Sequence, residues 1–177
     1  TMGFRGEALA SIAAISKLRL TTSNEGTTGI QIDIAGGVVQ EMLPAARCRG
    51  TSIEVQALFY NVPARKKFQK TAVISSAQIY KTVVLQALAH PHIAFKLQDA
   101  EKIALEVFPA SLKQRIKDLL GWEVGADWQE LDFQEDNFIL RGFLGRPAIA
   151  RKNYSLQYVF LNRRPIFSSQ LSRFVKE

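Results

Sequence analysis

The chain has 177 residues, 47% of them hydrophobic, and a net charge of +7 with a pI near 9.7. Its one cysteine, Cys48, excludes an internal disulfide and a thiol-rich metal site, and reads as a small packing residue. No apolar run approaches the roughly 20 residues of a membrane span and no basic start leads into a signal-like stretch, so a soluble intracellular protein with one core or two small ones is expected.

The chain opens on Gly3-Phe4-Arg5-Gly6-Glu7-Ala8-Leu9, two glycines bracketing an arginine before a helical pattern. Glycines let the backbone turn with positive φ and bring its N–H groups close to a ligand; a helix start adds unpaired donors and partial positive charge. An anion is expected near residues 4 to 8, against the bland alternative of a plain turn with a cap. Main-chain donors from Phe4 to Ala8 would carry the recognition, with Arg5 as a bidentate side-chain candidate and Glu7 as a capping, charge-matching residue rather than a catalytic base.

Leu9, Ile12 and Ile15 predict a short helix. Alternation then predicts an antiparallel meander: Leu18 and Leu20, then Ile30, Ile32 and Ile34, then Val38 to Met42 after the Gly36-Gly37 turn. Ile53, Val55 and Ala57 mark a half-buried strand that begins at Gly50-Thr51 and ends at Asn61-Val62-Pro63. Helical spacing places a packed helix over roughly 76–89, stopped before Pro91. Ile93, Phe95 and Leu97 share one face of a strand, Ile103, Leu105 and Val107 one face of the next, with a turn over 99–102.

Pro109-Ala110-Ser111 marks a change of character. Ser111 is the expected N-cap of a helix carrying Leu112, Ile116, Leu119 and Leu120, and Gly121 its stop. Strands are expected near 130–133, 138–144 and 156–161, and a last helix from Ser168 or Ser169. Charge is segregated here: residues 118–140 hold seven acids and no Lys or Arg, residues 141–177 eight basic residues against one acid. His90 and His92 flank Pro91 without a third metal ligand in sight, Glu135-Asp136-Asn137 reads as a hairpin turn, and Arg65-Lys66-Lys67 is a solvated helix start or part of a phosphate track.

The opening string resembles the third nucleotide-binding motif of the MutL mismatch-repair ATPases, relatives of gyrase, Hsp90 and histidine kinases in the GHKL superfamily. Arg49-Gly50-Thr51-Ser52-Ile53-Glu54-Val55, running into Leu58-Phe59-Tyr60-Asn61-Val62-Pro63-Ala64-Arg65-Lys66-Lys67-Phe68, resembles the fourth motif and its following segment. The resemblance implies an α/β fold of the α+β type. Residues 1–108 would be the later part of the GHKL ATPase sandwich and residues 109–177 the first part of a ribosomal-protein-like transducer domain. It assigns nucleotide binding to Gly3, Phe4, Arg5, Gly6, Glu7, Ala8, Gly50 and Thr51. Asn162-Arg163-Arg164-Pro165 is similar to the family's Asn-Gly-Arg turn, so Arg163 and Arg164 become candidates for non-specific DNA phosphate contacts, with the positive φ of the replaced glycine in question at Arg163.

The family implies ATP and Mg²⁺ as cofactors of the longer protein, a homodimer, DNA, and mismatch-recognition and downstream repair proteins as partners, in the cytoplasm and away from membranes. The family's base glutamate, metal-binding asparagine and adenine-reading aspartate belong upstream of Thr1, and a phosphate-reaching lysine beyond Glu177. An interior fragment inactive on its own, with no bound cofactor, is therefore expected. Two other readings stay open: a stand-alone basic nucleic-acid-binding module without nucleotide chemistry, and another ATPase of the superfamily such as a topoisomerase subunit.

Overall fold

Alternating apolar and polar residues over 17–56 fold as an antiparallel sheet. The computed structural model describes residues 6–122, 125, 127–149 and 157–174, and the chain divides into two compact units, Thr1–Thr71 and Ala72–Glu177. In the first unit, helix α1 (Ala8–Ala13) leads into β1 (Lys17–Ser23), β2 (Thr28–Ala35), β3 (Val38–Ala46) and β4 (Gly50–Gln56), followed by the single-turn α2 (Pro63–Lys67). The strand order is β3-β2-β1-β4, all neighbours antiparallel, so β1 lies between β2 and β4.

Register puts most of the apolar residues of this sheet on one face. Leu18 stands opposite Ile34 and Val55, Leu20 opposite Ile32 and Ile53. Leu18 is buried, while Ile30 is 47% and Met42 59% exposed, so most of the apolar face is uncovered. The other face is mostly polar, with Val38 and Leu43 as its large apolar members. There Arg19, directly opposite Asp33, donates from Nε to Oδ1 at 2.8 Å and from Nη2 to Oδ2 at 2.9 Å, holding the Asp33 carboxyl below its usual range. Cys48 is exposed between β3 and β4, a correction to its reading as a packing residue.

In the second unit the order is α3 (Ala72–Ala89), β5 (Phe95–Asp99), β6 (Lys102–Val107), α4 (Leu112–Leu120), β7 (Trp128–Glu135), β8 (Phe138–Gly145), β9 (Val159–Leu161), β10 (Arg164–Ile166) and α5 (Ser169–Phe174). The strands pair as three antiparallel hairpins, and the expected α/β architecture with antiparallel sheets is present. Val84, Ala87 and Leu88 of α3 form the core with Leu105 and Val107, and Phe95, Leu97, Ile116, Leu119, Tyr158 and Phe160 pack against it.

By length and composition α3 is apolar enough to cross a membrane, which the sequence reading did not anticipate; its C-terminal half is the core helix of this unit. Phe95 stands opposite Val107 and Leu97 opposite Leu105, so both strands present their apolar residues to one side. A bulge after Leu97 then pairs Ile103 with Gln98 and leaves Ile103 48% exposed, off the shared face. The caps of α4 are those expected: the Ser111 hydroxyl accepts from the Gln114 N–H at 3.2 Å, and Gly121 closes the helix at φ +68°.

The compact units divide after Thr71, and Pro109 lies within the second of them. What holds both sides of Pro109 together is Arg115, fully buried on α4. Its Nη1 donates to the Ala87 carbonyl at 3.1 Å, and its Nη2 lies 2.9, 2.9 and 2.7 Å from the carbonyls of Pro91, Ile93 and Phe108.

Candidate functional site

The site begins at the start of α1. Gly3, Phe4 and Arg5 lie outside the described residues, so geometry is available for Gly6, Glu7 and Ala8. Gly6 has φ +69° and open space where a Cβ would stand, which is the left-handed turn expected of a glycine before a helix. Glu7 occupies the N-cap position, and its carbonyl accepts from the Ser11 N–H at 3.0 Å.

Its carboxylate caps nothing, which corrects the expectation of a capping glutamate. Good caps have an extended backbone and a short side chain, whereas Glu7 has φ −96° and ψ −10° and a longer one. The first-turn N–H groups of α1 therefore have no side-chain acceptor at the cap, an arrangement that suits an anion.

At its other end α1 is held by a row of bonds. The Ala13 carbonyl accepts from the Gly37 N–H at 2.9 Å, Ala14 from Asn61 Nδ2 at 2.9 Å, Ile15 from the Phe59 N–H at 2.7 Å and Ser16 from the Gly36 N–H at 3.1 Å. The string that resembles the segment after the fourth motif thus grips the helix that follows the third. Reaching it requires a sharp bend, with Ala57 at φ +51° and Phe59 at φ +63°.

Gly50 and Thr51 start β4 opposite Ser23 and Thr22, at the far end of β1 from its junction with α1. Gly50 has φ +140°, a region other residues avoid, and the Thr51 hydroxyl lies 2.8 Å from that of Thr22. Among the described residues, no hydrogen bond joins Gly50 or Thr51 to Gly6, Glu7 or Ala8. Both groups instead belong to one sheet-and-helix unit built around β1.

Arg163 and Arg164 lie in the second unit, at the tight turn of the β9–β10 hairpin, and both are exposed. Asn162 at φ +50° and Arg163 at φ +64° keep the left-handed conformation that the glycine replacement had put in question. Arg163 also acts on His90, a buried residue just beyond the end of α3. Burial first, then the positive charge of Arg163 and the neighbouring His92, lower the pKa of His90.

Sequence reasoning missed two residues that organise these regions, Asn61 and Arg115. Arg115 stands three residues after Leu112 and four before Leu119, a charge on the apolar face of α4, and that spacing was the available signal. Asn61 carried no comparable sign, because its partner Ala14 is distant in sequence.

Residues 116–177 match the family described as DNA mismatch repair protein, C-terminal domain. The DNA mismatch repair protein MutL of Agrobacterium fabrum is 41% identical over 170 residues, covering 94% of this chain and 28% of its own length. That of Chlorobium phaeobacteroides is 34% identical over 100% of this chain and 28% of itself. The chain thus spans 28% of the length of these relatives.

Among solved structures, the Aquifex aeolicus MutL ATPase domain complexed with ADP superposes with a TM-score of 0.81 at 29% identity, covering 96% of this chain and 66% of that one. The ATPase domain of the Aquifex aeolicus mismatch repair endonuclease MutL, at 23% identity and a TM-score of 0.73, shares the fold. Sequence likeness along nearly the whole chain and a common architecture place the chain in the MutL family of DNA mismatch repair proteins.

Proposed function

We propose that the longer protein carrying this chain is an ATP-driven switch: it binds ATP with Mg²⁺, dimerises, and in that state couples mismatch recognition to downstream repair proteins on DNA. The observation that carries this reading is the start of α1, where a left-handed Gly6 precedes a helix whose N-cap side chain leaves the first-turn donors open. It is supported by the likeness to a MutL ATPase domain whose structure is an ADP complex.

In this reading main-chain donors of residues 4–8 and the Arg5 guanidinium hold phosphate oxygens, and Gly50-Thr51 forms a wall on the sheet side. Hydrolysis calls for a base to activate water and a metal to offset phosphate charge, and no residue of this chain is assigned to either role. The chain alone is therefore inactive, and the uncovered apolar sheet face packs against other segments of the longer protein.

Arg163 and Arg164 contact DNA phosphates at the hairpin tip, giving affinity without sequence preference. The protein acts in the cytoplasm, associated with the nucleoid in a bacterial cell.

The test is sedimentation of the full-length protein with and without a non-hydrolysable ATP analogue. The analogue should convert monomer to dimer, and an Arg5→Ala, Gly6→Ala double variant should stay monomeric. An unchanged monomer, or a double variant that dimerises as the parent does, contradicts the switch.

A further inference from the structure

We infer that Asn61 is a positioning residue for the nucleotide loop. This rests on the reading that residues 4–8 hold phosphate, and extends it to a residue that touches no ligand.

Helix α1 has six residues. Isolated helices shorter than about 12 residues are marginal in water, so its direction is set by what it is tied to. Its ties lie at the C-terminal end, where the carbonyls of Ala13, Ala14, Ile15 and Ser16 are each engaged. Three of the four donors are main-chain N–H groups of Gly36, Gly37 and Phe59. The fourth is the Asn61 side chain, 2.9 Å from the Ala14 carbonyl, and it is the one bond of the row that substitution removes without rebuilding the backbone.

Asn61 is itself held in place. It follows the left-handed Phe59 and precedes Pro63 at the start of α2, with the Val62 N–H donating to the Phe59 carbonyl at 3.1 Å. Its amide nitrogen also lies 3.4 Å from where a Cβ on Gly36 would stand, so the Gly36-Gly37 turn, Asn61 and the end of α1 meet at one point.

The opposite end of α1 has no side-chain cap. Among the described residues no side chain holds this end, so a loosening of the C-terminal ties reaches it as a change of helix direction. Productive geometry at a bound group tolerates little such error. An exposed neutral hydrogen bond contributes little to global stability, so its loss falls on ligand affinity rather than on folding.

The experiment uses the full-length protein and its Asn61→Asp, Asn61→Ala and Asn61→Gln variants. ADP affinity is read by calorimetric titration, Tm by scanning, and amide exchange is followed in residues 9–14 and in β1. Asn61→Asp, which turns the donor into an acceptor facing a carbonyl, should weaken ADP about threefold, the weight of one exposed neutral hydrogen bond, with Tm changed by about 2 °C or less. Exchange should rise in α1 and not in β1, and Asn61→Gln, which keeps the donor, should recover part of the affinity.

Unchanged ADP affinity in Asn61→Asp and Asn61→Ala overturns the inference while leaving nucleotide binding intact. A loss of affinity accompanied by equal exchange in α1 and β1 also overturns it, because the residue is then a general stabiliser. A parent protein that does not bind ADP removes the underlying reading instead, and the inference with it.

Discussion

The guanidinium of Arg115 donates to the carbonyl of Phe108 at 2.7 Å, tying α4 to the end of β6 across Pro109. Carbonyls of Ala87, Pro91 and Ile93 take the other Nη contacts, while Nε has no hydrogen-bond partner among the described residues, so a fully buried cation is solvated chiefly by main-chain oxygens, and burial lowers its pKa. Removing it strands several buried acceptors at once. Arg115→Met should cost about 3 kcal/mol in urea unfolding, and Arg115→Lys should recover little, because an ammonium cannot reproduce the planar fork. A loss within about 0.5 kcal/mol, the range of ordinary surface changes, would refute the staple.

Arg163 holds φ +64° at a hairpin turn where glycine is at ease. Arg163→Gly should therefore stabilise the protein by about 1 kcal/mol while lowering DNA affinity at low salt. If Arg163 meets a phosphate, the slope of log affinity against log salt should shrink by about one unit. Added stability with an unchanged slope would confine Arg163 to the turn.

His90 is buried with a pKa held below its ordinary 6.5, by burial first and by Arg163 and His92 next. The sign follows from proton binding: below pH 6.5 the unfolded chain takes up a proton that the folded one resists, so stability present above that pH is lost as pH falls toward the folded pKa. His90→Gln should flatten this acid limb in pH-dependent unfolding, and Arg163→Gln should move the His90 pKa, read by NMR, upward. Identical acid limbs in parent and His90→Gln would contradict the assignment.

Gly29 lies where β2 crosses Thr22 and Ser23 of β1, and a Cβ there would collide with the Thr22 carbonyl and sit 3.1 Å from the Ser23 Cβ. Gly29→Ala should cost about 2 kcal/mol by overpacking against backbone, measured by thermal unfolding. A neutral substitution would mean that the pairing of β1 and β2 yields easily at this end.

The elements were legible where local chemistry decides them. Ser111 and Gly121 bracket α4 as a cap and a stop should, and alternation placed the meander. The β5–β6 bulge was not legible, since nothing local distinguishes Ile103 from its buried neighbours Leu105 and Val107. Arg115 left only the sign of a charge at apolar spacing: an arginine in a short helix is usually solvated, and the approach of four carbonyls, three of them more than 20 residues away in sequence, makes this one interior.

For the candidate site, the glycine logic anticipated the positive φ of Gly6 but not that of Gly50, and the likeness of Asn162-Arg163-Arg164 to an Asn-Gly-Arg turn located the turn while leaving its left-handed backbone in question. The tie between Asn61 and Ala14 is a long-range contact that no spacing rule reaches.

The central claim is that the loop before α1 holds a nucleotide's phosphates. Titration of the full-length protein with ADP and Mg²⁺, beside the Arg5→Ala, Gly6→Ala double variant, tests it most directly. The account predicts saturable one-site binding that weakens about tenfold or more in the variant, the loss of at least one charge-assisted contact. No saturable binding in the parent, or equal affinity in the two proteins, would contradict it.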